Sequence, residues 1–65
     1  MIIVTIALEG YTTSIFYCIG DIVYCKNADI GFFKSPMNYD ALAYHIHNMK
    51  AEGANILIEK SAEIL

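Results

Sequence analysis

MIIVTIALEGYTTSIFYCIGDIVYCK, residues Met1 to Lys26, carries apolar or aromatic side chains at both parities of its strand-like runs. Ile15, Tyr17 and Ile19 point one way, and Phe16 and Cys18 the other. A strand with one wet face alternates apolar and polar residues. Strands that do not alternate build a sheet that needs cover on both faces. The rest of the chain offers one helix, which covers one face.

Working outward, the first strand is expected from Ile2 to Leu8, with a turn at Glu9-Gly10-Tyr11-Thr12. The second runs from Thr13 to Ile19 and the third from Ile22 to Lys26. Between them Gly20-Asp21 reads as a two-residue hairpin turn, with Gly where a type II′ turn requires it. In that register Ile19 lies opposite Ile22, Cys18 opposite Val23 and Phe16 opposite Cys25. One face then carries Phe16, Cys18, Val23 and Cys25; the other carries Ile15, Tyr17, Ile19, Ile22 and Tyr24. Asn27-Ala28-Asp29 reads as a further turn. Ile30-Gly31-Phe32-Phe33 fits either a short extra strand or an apolar loop.

The helix is expected to open with Ser35 as N-cap and Pro36 as first helical residue. It should close at Gly53, with Asp40 and Lys50 suiting the two ends of its dipole. Tyr39, Leu42, Ile46 and Met49 form its apolar stripe, bordered by Ala43. A last strand covers Asn55 to Glu59, and the tail Ser61–Leu65 reads as a helical turn or a frayed end.

The expected architecture is a single α+β domain over residues 1–65. It has a small mixed β-sheet of four strands, five if Ile30–Phe33 pairs, in the order β-β-β-α-β, with one helix packed on one face. The expected strand order is 3-2-1-4, with the last strand parallel to the first or third. This topology resembles that of the front half of ribonuclease-H-like domains and of some small antitoxin domains, a likeness of fold alone. The first strand here has no acidic residue at its centre, where a metal site of that kind needs one, so no family is assigned.

Composition sharpens the covering problem. The chain has 65 residues, 57% hydrophobic and 17% charged, against roughly 45–50% and about 25% in average domains. So small a body cannot hide that much apolar surface internally, and the excess marks an interface. Burying one apolar side chain contributes roughly 1.5–3 kcal/mol. Leaving four or five exposed forfeits an amount comparable with a small domain's stability of about 5–15 kcal/mol. A twofold homodimer is the expected remedy. The alternative is that the Ile30–Phe33 segment and Ile64-Leu65 cover the second face.

Several function classes are disfavoured. The net charge is −3, with seven acids and four scattered lysines; arginine, the residue best suited to phosphate and base contacts, is absent. No nucleic-acid partner is expected. Apolar runs are broken by Glu9, Gly10, Gly20 and Asp21, so no membrane span is expected, and without a basic leader the chain reads as cytoplasmic. His45 and His47 diverge by about 200° on a helix, unlike the i, i+4 pairs that bind metal. Cys18 and Cys25 read as buried free thiols in diagonal positions; a slip of one residue per strand would set them directly opposite, where a bridge is geometrically conceivable. No G-x-S-x-G, P-loop or G-x-G-x-x-G motif occurs. Neither a cofactor nor catalysis by this chain alone is expected.

The functional expectation is a non-enzymatic protein-binding module acting as a homodimer, in the manner of an inhibitor, antitoxin or adaptor. Its expected interface residues are Phe16, Tyr17, Cys18, Tyr24, Tyr11 and Tyr44, because aromatic rings give large contact area at low entropic cost. Two alternatives are a structural subunit that pairs through an edge strand, either the third strand or Ile56–Ile58, and a dimer that binds a small molecule between its subunits.

Overall fold

The computed structural model describes residues 1–60. Strands β1 (Ile2–Ala7), β2 (Ser14–Ile19), β3 (Ile22–Asn27) and β4 (Gly31–Asn38) precede the helix α1 (Tyr39–Ala51), and β5 (Asn55–Lys60) follows it. The strands form one sheet in the order β4-β3-β2-β1-β5. Every neighbouring pair is antiparallel. The fold is a small α+β domain with a five-stranded sheet. The expected adjacency of third, second, first and last strands holds, with β4 added outside β3.

The added strand corrects the expected strand direction. With three strands before the helix, the chain would return parallel to β1. The segment Ile30–Phe33 instead begins a fourth strand of eight residues, which reverses the chain once more. β5 therefore runs antiparallel to β1, from Ala7↔Asn55 to Ile2↔Lys60, and the sheet is not mixed.

β4 also takes the residues expected to start the helix. Ser35 and Pro36 lie within the strand, beside a register shift between Ile22 and Tyr24 on β3. Proline is tolerated there because β4 is an edge strand and the ladder is interrupted. Ser35 is buried, and its Oγ accepts the Met37 N–H at 3.1 Å. The N-cap is Asn38, with extended backbone, whose Oδ1 accepts the Ala41 N–H at 2.9 Å. Asp21, from the β2–β3 turn, accepts the Tyr39 N–H at 3.2 Å through its Oδ1. Two otherwise orphaned donors of the first turn are thereby satisfied.

The other end of α1 is as expected. Gly53 has φ 92°, its N–H donates to the Lys50 carbonyl at 3.1 Å, and the Ala54 N–H donates to Met49 at 3.0 Å. That pair of bonds is a Schellman motif, which needs a left-handed residue at C′. The β2–β3 hairpin is also as expected. Ile19 faces Ile22 across a two-residue turn. Gly20 has φ 61° while no non-glycine residue among the described residues has positive φ, as a type II′ turn demands.

The core lies between α1 and one face of the sheet. Val4, Ile6, Phe16, Cys18, Val23, Cys25 and Leu42 are buried there. Ile46 and Met49 pack beside Leu42, while Tyr39, expected in the same stripe, is on its exposed border. Cys18 and Cys25 are free thiols in diagonal positions, opposite Val23 and Phe16. The tail Ser61–Leu65, and with it the cover expected from Ile64-Leu65, lies outside the described residues.

Candidate functional site

Side-chain parity and register define what the helix does not cover. Residues directly opposite on paired strands share a face. One row across the sheet therefore reads Leu57, Thr5, Ile15, Lys26, Phe32, from β5 to β4. The next reads Glu59, Ile3, Tyr17, Tyr24, Lys34. Ile19 and Ile22 add a third pair at the hairpin end. No described element packs over these rows. Phe32 is 64% exposed and Leu57 57%, with Ile19 and Ile22 also exposed; Ile3, Ile15, Tyr17 and Tyr24 are half-buried by their neighbours.

An aromatic cluster lies off-centre on this surface. Phe32 stacks on Tyr24, with ring centroids 5.7 Å apart and planes 8° from parallel, and tilts against Tyr17 at 6.2 Å. Offset ring pairs of this kind hold one another in place, so the face presents a preorganised apolar patch. Lys34 and Glu59 stand at its opposite edges.

Of the six expected interface residues, the structure places Tyr17 and Tyr24 together on this face. Phe16 and Cys18 lie in the core beneath α1 and are off this face, because their parity is opposite to that of Tyr17. Tyr11, 74% exposed, sits in the β1–β2 loop, and Tyr44, 70% exposed, on the helix; neither joins the cluster. Sequence reasoning missed Ile3, Phe32 and Leu57. Their signal was shared parity with Tyr17 and Tyr24, legible only once the β1 and β5 registers and the β4 strand are known. Of the two strands expected to offer a free edge, β3 is interior and β5 is an edge.

A second concavity, an open cleft of about 610 Å³, lies at one end of the sheet between the β1–β2 loop, the β3–β4 turn and the last turns of α1. Its floor includes Ile6, Phe16 and Met49. Its polar groups mostly engage each other. The Thr12 hydroxyl donates to the Asp29 carboxylate, Asn27 Nδ2 donates to Ser14 Oγ at 2.9 Å, and Asn27 Oδ1 accepts the Asp29 N–H at 2.9 Å. These bonds tie the two loops together. His45 is half-buried, edge-on to Phe16 at 6.1 Å, and His47 is exposed. Among the described residues no three His, Cys, Asp or Glu side chains gather to hold a metal ion, and no helix is long and apolar enough to cross a membrane. Burial pushes the Cys18 and Cys25 thiols above their ordinary pKa, which disfavours the nucleophilic thiolate.

No protein-family model matches the chain, and neither curated proteins nor solved structures give a match.

Proposed function

We propose that this protein is a self-associating binding module whose uncovered sheet face packs on a second copy of the chain, rather than an enzyme. The observation that carries the reading is that face itself: it exposes Phe32, Leu57, Ile19 and Ile22 and holds a stacked Tyr24–Phe32 pair, and no described element lies over it. Five strands of about 4.8 Å spacing and six residues of about 3.3 Å rise give a footprint of roughly 24 by 20 Å. Two such faces bring roughly 1,000 Å² together, the size at which specific association begins. Phe32→Glu tests the reading, because its side chain is exposed and off the core. Expected is a native circular dichroism spectrum with the dimer lost in sedimentation. An unchanged dimer would refute it.

A second reading has its own support in the contrast between the two sheet edges. β4 carries Pro36, a register shift and Lys34, devices that block edge pairing. β5 has neither proline nor glycine, confines its charges to its last two positions, Glu59 and Lys60, and exposes Leu57 on one face and Ile58 on the other. Pairing through the β5 edge is tested by Ile58→Lys, which leaves the uncovered face untouched. Dissociation by that variant alone would favour the edge.

A further inference from the structure

Resting on the reading that the uncovered face binds a second copy, we infer that the twofold axis of the homodimer runs along β2, the central strand, so that Lys34 of each copy meets Glu59 of the other. The inference follows from the order of side chains across the sheet. An axis along β2 exchanges β4 with β5 and β3 with β1 while keeping each row in register. Phe32 then faces the other copy's Leu57, Lys26 faces Thr5, Tyr24 faces Ile3, and Tyr17 and Ile15 each meet their own counterparts. Within the two rows every apolar position finds an apolar one, the two charged edges find opposite charge, and Lys26 meets the polar Thr5 rather than an apolar or like-charged side chain.

The competing axis, perpendicular to the strands, fails the same comparison. Placed between the two rows, it sets Phe32 against Lys34, Tyr24 against Lys26 and Leu57 against Glu59. Placed on a row, it sets Lys34 on Lys34 and Glu59 on Glu59, or Lys26 on Lys26. Both bury charge against apolar surface or against like charge, which costs association and suppresses that arrangement. Either axis keeps the strands of the two sheets within the roughly 30° of alignment usual for stacked sheets, so the matching of side chains decides between them. The result is a ten-stranded sandwich with one helix on each outer side.

Two measurements test the geometry. The first is an isotope-filtered NMR experiment on a dimer mixed from labelled and unlabelled chains. Within one chain Phe32 and Leu57 lie four strand spacings apart, roughly 19 Å, too far for a nuclear Overhauser contact. A contact between the Phe32 ring of one copy and the Leu57 methyls of the other is expected. A Phe32–Phe32 contact in its place would overturn the inference. The second is charge reversal. Lys34→Glu and Glu59→Lys each raise the dimer Kd on the order of tenfold, since each turns two attractive pairs repulsive, and the double variant returns to within about threefold of the wild type. Additive losses in the double variant would overturn the orientation. If Phe32→Glu still dissociates the dimer in that case, the face remains the interface and only its orientation is wrong. If Phe32→Glu has no effect, the underlying reading fails as well.

Discussion

Adjacent residues 16 and 17 carry opposite consequences, because a strand sends successive side chains to opposite faces. Phe16 is buried beneath α1 and Tyr17 lies on the uncovered face. Phe16→Glu places an unpaired charge in a packed core, a penalty that rivals the stability of so small a domain. Its expected outcome is loss of the cooperative unfolding transition, whereas Tyr17→Glu keeps the transition and weakens association. Equal effects of the two variants would contradict the face assignment. The cysteines behave as core residues. Burial raises both thiol pKa values, so the stabilisation linked to the neutral thiols is fully present below the ordinary value of 9.0 and is lost as pH rises through the higher folded values. At pH 8 both thiols are expected to resist iodoacetamide until the chain is unfolded; labelling at the unfolded rate in native protein would exclude the buried placement.

At the scale of elements, the hairpin and the end of the helix were legible in sequence because local chemistry alone sets them: Gly20 for the type II′ turn, Gly53 for the Schellman motif. The start of the helix was not. Ser35-Pro36 is a good N-terminal pair by local rules, and so is Asn38. What separates them is the length of β3, which β4 must match before the chain can turn, and the Asp21 carboxylate waiting at the far end. A tertiary contact decided between two locally acceptable caps. Asn38→Ala is therefore expected to lower stability by about 1 kcal/mol in urea unfolding. No measurable loss would contradict the cap. The direction of β5 was missed because the expected strand order left out Ile30–Phe33, which reads locally as either a strand or a loop, and one further strand reverses the direction of the chain after it.

For the whole molecule, the decisive quantity is the mismatch between two apolar sheet faces and the one helix among the described residues. That mismatch was readable from the parity of residues 15–25, and the register groups Phe16, Cys18, Val23 and Cys25 on one face as expected; that face is the covered one, so Phe16 and Cys18, expected at the interface, belong to the core instead. The tyrosines of the loop and helix were grouped with the interface on residue type alone, and type does not place Tyr11 or Tyr44 on the sheet. Sedimentation velocity of the wild-type chain over a hundredfold range of concentration tests the central claim most directly. A concentration-dependent shift from a 7.3 kDa species to one of twice that mass is predicted, with Phe32→Glu held at the smaller mass. A wild-type chain that stays at the smaller mass throughout would contradict the account.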